Sequence, residues 1–448
     1  MNYSRDILRL AVPSILANIT IPLVGIVDVA VAGHLADAAA IGGIAVGTML
    51  FDLLYWNFGF LRVGTSGLTA QAYGRNDRQA QTDLLLQSCS IALAAAAVIW
   101  LLQWVFVNAV LAVMPCSAEV ADFARRYFYI RIWAAPATLC LFALKGWFIG
   151  MQDTVSAMIT DIVVNVVNMT ASYMLAVYTP LGVIGVAWGT LISQFTGLIT
   201  ACILLRRRYA LIDITYRLTE RLKCIFSWHK MRGIFTLNSN LFVRSLCFMA
   251  IYVGYTVIAS RYGDTELAVS AIIMKLFMFF SFFTDGFAYA GEALAGRLGV
   301  TPRLADGSGT QTTDAVWHKT KEVSDVVKTL FVWTFAIGIV FSAGYFFASD
   351  ILVRIMTDNA DVLTAYGLYI VWIGLMPVIS SLAFMWDGIY IGATAAVPVR
   401  NSMIWSAAAF MATYWAISPF GGVQALYAAY FAHLLVRTFY LSVYWRKM

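Results

Sequence analysis

Six acids and six bases fall inside the long apolar runs of this chain: Asp28, Asp52, Asp161, Asp285, Glu292 and Asp387, with Arg62, Arg131, Lys145, Arg244, Lys275 and Arg437. A charge placed in hydrocarbon costs about 3 kcal/mol on insertion scales, so each needs a counter-charge, a proton or a water-filled cavity. Asp28 ends the segment Thr20-Ile-Pro-Leu-Val-Gly-Ile-Val-Asp28. A carboxyl with such apolar neighbours can alternately bind and release a proton or a sodium ion. It can equally form a permanent ion pair with Arg131, which is expected at a similar depth. Further along, Asp161, Asn165, Asn168 and Ser172 are spaced by four, three and four, which puts all four on one helical face. Asparagine carbonyls suit sodium coordination or a hydrogen bond from a protonated carboxyl, and they also glue helices together. Asp161 is expected deeper, paired with Arg62. In the second half Asp285 and Glu292 lie seven apart, and Asp387 sits in Met385-Trp-Asp387-Gly388. With Arg244 and Arg437 at similar inner depths and Lys275 further out, these charges form a neutralised structural network or a second coupling or substrate site. Glu292 is expected near enough to the cytoplasmic surface to be solvated.

Charges in such positions need spanning helices to hold them. Of the 448 residues, 61% are hydrophobic and 12% charged, with mean hydropathy +0.77. Soluble domains carry about 25% charged residues, so an all-α membrane protein is expected. Apolar runs predict twelve spans, at 7–33, 41–70, 84–112, 123–149, 155–178, 183–205, 234–259, 267–295, 328–348, 363–391, 397–417 and 422–445. Several exceed the roughly 20 residues a bilayer core needs, and Pro13, Pro22, Pro136 and Pro377 are kink candidates within them.

With the N-terminus inside, predicted cytoplasmic segments hold 20 of the 30 Lys and Arg, and outer segments only Arg125, Arg126, Arg261 and Arg354. This positive-inside bias puts both termini in the cytoplasm. It also accounts for the net charge of +6 without nucleic acid. The six cysteines include no C-x-x-C pair and read as small buried hydrophobes. The four histidines are too scattered for a zinc site. No nucleophile–base pair is legible either, so an enzyme is not expected.

The two halves resemble each other. Gly146-Trp-Phe-Ile-Gly150 recurs as Gly388-Ile-Tyr-Ile-Gly392, Pro180-Leu-Gly182 as Pro419-Phe-Gly421, and Leu68-Thr-Ala-Gln-Ala-Tyr-Gly74 more loosely as Leu294-Ala-Gly-Arg-Leu-Gly299, at separations of 242, 239 and 225. Six spans per half preserve orientation, so parallel repeats are expected: an N-lobe over 1–205, a basic cytoplasmic linker over 206–232 and a C-lobe over 233–448.

Five segments carry a family resemblance: Asp28-Val-Ala-Val-Ala-Gly33-His34-Leu35; Phe60-Leu-Arg62-Val-Gly-Thr-Ser-Gly67-Leu-Thr-Ala-Gln71; Arg131-Ile-Trp-Ala-Ala-Pro136; Asp285-Gly286-Phe-Ala-Tyr-Ala-Gly-Glu292; and Asp387-Gly388-Ile-Tyr-Ile-Gly392. Together they resemble the multidrug and toxic compound extrusion (MATE) transporters, in the DNA-damage-inducible F (DinF) branch. The resemblance implies two six-helix bundles forming a V-shaped cleft. It also implies export of small organic, often cationic, compounds by a protein of the bacterial inner membrane, driven by inward proton or sodium movement, with no cofactor. Asp28 would be the coupling carboxylate. The family's Asn on span five, followed four residues later by Asp, is matched here by Asn168 but answered by Ser172. That departure removes one carboxylate and favours protons over a doubly acidic sodium site. Membrane lipids are the other expected partners, and a monomer is favoured. A flippase for a lipid-linked precursor is the rival transporter reading.

Overall fold

A computed structural model describes residues 3–35, 38–114, 116–209, 228–300, 317–357 and 359–448. Most of the basic linker, 210–227, therefore lies outside the described residues, as does Cys224. Among the described residues every regular element is helical, in agreement with the expected all-α class. The first half contains α1 (Tyr3–Leu35), α2 (Ala38–Trp56), α3 (Phe60–Gly74), α4 (Arg78–Val113), α5 (Ala118–Arg131), α6 (Ala135–Gly150), α7 (Thr154–Tyr178) and α8 (Gly185–Tyr209). The second contains α9 (Trp228–Ala259), α10 (Asp264–Leu298), α11 (Lys321–Phe347), α12 (Ser349–Met356), α13 (Ala360–Tyr366), α14 (Ile370–Gly392), α15 (Ala396–Gly421) and α16 (Gln424–Lys447).

The predicted spans two, four and ten are each a pair of helices joined by one tight 3-10 turn, at Asn57–Gly59, Ile132–Ala134 and Gly367–Tyr369. Pro136 stands in the first turn of α6, where its missing N–H leaves no bond unmade. Pro377, by contrast, sits inside α14. By length and composition, ten spans among the described residues are apolar enough to cross a membrane. The other two predicted spans are α15 and α16, of 26 and 24 residues. Large apolar side chains cover the outer faces: Leu101, Trp104, Val332, Phe347 and Phe420 are all more than 60% exposed. Patches of this kind aggregate in water and belong in hydrocarbon. The expectation of buried cysteines holds only for Cys140: Cys89, Cys116 and Cys247 are half-buried at the edges of the apolar clusters, and Cys202 is exposed.

The chain divides into two compact units. One comprises Leu16–Tyr73 and Asp77–Asn238, the other Met1–Ile15, Gly74–Asn76 and Ser239–Met448. In the first, Phe51, Tyr127, Phe128 and Val186 centre one apolar cluster and Trp147, Phe148 and Leu85 another. In the second, Tyr255, Phe277, Phe410 and Tyr430 pack together. A separate cluster joins Phe287, Met385, Trp386 and Tyr390 to Ile7, Leu10 and Ala11 of α1.

The repeat is written in backbone contacts. A Cβ added at Gly146 would collide with the carbonyl oxygen of Arg62 on α3, and one at Gly388 with that of Ala288 on α10. One turn later Gly150 would meet Ser66 O at 2.6 Å and Gly392 would meet Glu292 O at 2.5 Å. The receiving residues are 226 apart and the glycines 242 apart, so both halves use the same close helix crossing. The turns that follow also match. Gln152 (φ 61°) and Thr394 (φ 53°) take the left-handed conformation at equivalent places. Asp153 N–H then returns to Phe148 O at 2.8 Å, and Ala395 N–H to Tyr390 O at 2.9 Å, a shared helix-ending motif.

Candidate functional site

The polar stripe of α7 divides its contacts among three helices. Asn165 donates through Nδ2 to Thr20 Oγ1 on α1 at 2.5 Å, two residues before Pro22. Asn168 donates to Thr190 Oγ1 at 3.0 Å and Ser172 Oγ to the Val186 carbonyl at 3.5 Å, both on α8. Asn168 and Ser172 are buried, and Asn168 Oδ1 makes no hydrogen bond among the described residues. The α7–α8 approach depends on Gly189, where a Cβ would strike Ser172.

Asp161 does not pair with Arg62 as its depth suggests. Its carboxylate takes Lys145 Nζ of α6 at 2.5 Å. The reason is geometric. Asp161 and Lys145 each lie eight residues from Asp153, which caps α7 by accepting from Ser156 N–H at 3.1 Å. Two antiparallel helices leaving one turn carry equidistant residues at equal height. That symmetry about Asp153 is the signal by which sequence reasoning could have found the pair. Arg62 reaches the same region through its backbone, at Gly146.

Asp28 falls on α1, and its side chain lies outside the described residues, as does any contact with Arg131. Arg131 itself donates to Tyr127 Oη at 3.1 Å and stacks over the Phe51 ring at 4.6 Å, with Asp52 within its electrostatic reach. In the second half Asp285 is half-buried on α10. Glu292, expected near water, is 1% exposed, because its turn of helix is pressed against Gly392. Asp387 on α14 is buried and accepts from two arginines, Arg437 of α16 and Arg244 of α9. Lys275 is exposed on α10. Among the described residues, no group of three or more His, Cys, Asp or Glu could hold a metal ion.

Comparison with known proteins agrees with this architecture. The family described as MatE matches residues 13–174. The DNA damage-inducible protein F of Escherichia coli (strain K12) is 34% identical over 440 residues, covering 98% of this chain and 91% of its own. The chain belongs to the MATE family. The human multidrug and toxin extrusion protein 1 is 23% identical over 355 residues, covering 77% of this chain and 58% of the human protein. A solved structure described as MATE in complex with MaL6 superposes with TM-score 0.83 at 15% identity, over 100% of this chain and 96% of its own. The twelve-helix layout is thus that of MATE transporters.

Within this MATE chain the Lys145–Asp161 pair is partly shielded, at 19% and 25% side-chain exposure. Lys145→Met should lower stability by about 2–3 kcal/mol, because it leaves a partly shielded carboxylate without its ion-pair partner. Adding Asp161→Asn should recover most of the loss. Thermal inactivation of both variants in detergent is the measurement. Equal losses in the single and double variants would remove any role for the pair.

Proposed function

We propose that this MATE chain exports small organic compounds, often cationic, in exchange for protons by alternating access. It is read as a transporter rather than an enzyme. The observation that carries proton coupling is the charge count around α7. Where the family pattern expects a second carboxylate, this chain has Ser172, held against α8. The nearest alternative acid on that helix, Asp161, is already neutralised by Lys145. Asp28 is left as the carboxyl able to load and release a proton. Asn165 and Asn168 support it, the first tying α7 to α1 beside Pro22 and the second keeping Oδ1 available as an acceptor. Arg62, Arg131 and Asp161 are supporting charges of the same half, and Asp285 and Asp387 belong to the other.

The same unpaired Asn168 oxygen favours a second reading, sodium coupling, since sodium prefers neutral and anionic oxygen ligands. In both readings residues 1–205 and 233–448 act as two lobes joined by 206–232. The protein works as a monomer among lipids of a bacterial inner membrane, with both termini in the cytoplasm. Coupling requires that proton and substrate bind the two states unequally.

Flux of a fluorescent organic cation through proteoliposomes, with an imposed proton gradient and no sodium, tests the proposal. Gradient-driven movement that collapses with a protonophore is the expected result. Movement only under a sodium gradient would replace the proton. Failure under both gradients would overturn drug export and turn attention to lipid-linked precursors.

A further inference from the structure

Asp387 accepts from both guanidinium groups: Arg437 Nε bonds Oδ1 at 3.1 Å, while Arg437 Nη2 and Arg244 Nη2 converge on Oδ2. Side-chain exposures are 6% for Asp387, 1% for Arg437 and 21% for Arg244. One carboxylate therefore faces two permanent cations. Among the described residues no other carboxylate forms an ion pair with either arginine. The donors are not exhausted. Arg437 Nη1 and Arg244 Nε are buried and make no hydrogen bond among the described residues, and neither do Thr438 Oγ1 and His433 Nδ1 on α16. One turn before Arg244 on α9, Asn240 accepts from Arg400 Nη1 at 2.7 Å. The other hydrogen bonds of Arg400 go to the neutral Asn401.

A neutral structural clamp would need one arginine per carboxylate. Here a net positive charge is left in a site shielded from water, with unfilled N–H groups on both its bearers. Such a site gains most from a bound anion, because charge-assisted hydrogen bonds to guanidinium are strong where water is excluded. The surroundings say what kind of anion. Phe384 lies 5.8 Å from Arg437 Cζ and packs on Phe277, which also meets Tyr430, and Tyr430 carries His433 at 4.6 Å. Rings beside an unbalanced guanidinium pair fit an acidic group on an apolar body. We infer that Arg244 and Arg437, brought together on Asp387, form a binding site for the anionic head of an amphiphile, a carboxylate or a phosphate, with Arg244, the more exposed of the two, at its open side. Asp387 is the positioning residue. The site is defined by equilibrium binding and stands whether export is driven by protons, by sodium or by neither.

The test uses the full chain in phosphatidylcholine nanodiscs and two probes, dansyl-undecanoic acid and its methyl ester. The acid is expected to bind at least ~10-fold tighter than the ester. Arg244→Gln should bring the acid down to the ester's affinity and leave the ester unchanged. Asp387→Asn keeps a carbonyl oxygen to hold the arginines while removing the competing negative charge, and should tighten the acid by about 3–10-fold. A purely structural cluster would not give opposite signs for the two substitutions. Arg244→Glu, at the more exposed position, keeps the test decisive where Asp387→Asn does not fold, and should invert the preference so that the ester binds better. Equal binding of acid and ester by the parent protein, or an unchanged ratio in Arg244→Gln, overturns the site. Adding phosphatidylglycerol separates two sources of the same chemistry: displacement of the acid assigns the site to a lipid headgroup, and undisturbed binding assigns it to a free amphiphile.

Discussion

Gradient-driven export should fall by about 100-fold, to the level of empty liposomes, when Asp28 is replaced by Asn, while the protein still purifies in folded form. The amide keeps the size of the carboxyl and cannot cycle a proton. The proposed mechanism gives it no substitute: Asp161 is committed to Lys145 and Ser172 cannot carry a charge. The loss should therefore be nearly complete. Equilibrium exchange of substrate without a gradient should survive better than uphill transport, because binding and reorientation do not need the proton while coupling does. Full gradient-driven efflux in Asp28→Asn would remove this residue from the mechanism. Intact binding accompanied by uncoupled, downhill leakage would place it where the proposal does.

The second large effect concerns folding. Gly388→Val should cost about 3 kcal/mol or more and sharply reduce the yield of folded protein, since the added atoms meet the Ala288 backbone and not a side chain that could turn away. Gly146→Val should do the same in the first half, against Arg62 O. Gly344 in α11 is the control. Nothing lies within 4 Å of a Cβ built there, so Gly344→Ala should be neutral or gain up to about 1 kcal/mol from helix propensity. Thermal melting of the three variants in one detergent compares them directly. Equal behaviour of Gly344→Ala and Gly388→Val would show that the crossing tolerates expansion.

Much of this architecture could be read from apolar periodicity, because lipid imposes a length and a polarity on every span. The three spans interrupted by 3-10 turns still read as single apolar runs, and the recurring glycine pairs mark the repeat. The ion pairs were less legible. Depth along a span orders charges by height but says nothing about which side of the helix they occupy. Height alone therefore pairs Asp161 with Arg62, whereas Lys145, equidistant across the same turn, holds its carboxylate. Height alone likewise puts Glu292 near water. Its burial follows from the glycine on the neighbouring helix. The excess of arginine around Asp387 was likewise hidden, since six acids against six bases balance over the chain and not locally.

The shared glycine crossing aligns Lys145 with Asp387, each one residue before the first glycine of its pair. At the same station of a duplicated scaffold, one half thus presents a cation to an acid and the other an acid to two cations. If the halves descend from one ancestral segment, that station has reversed its sign while the backbone around it stayed fixed. The halves are consequently no longer exchangeable. A tandem of two first halves would set a lysine against any arginines transplanted with the second half's ligand set, and a workable chimaera would need to carry α9, α14 and α16 together.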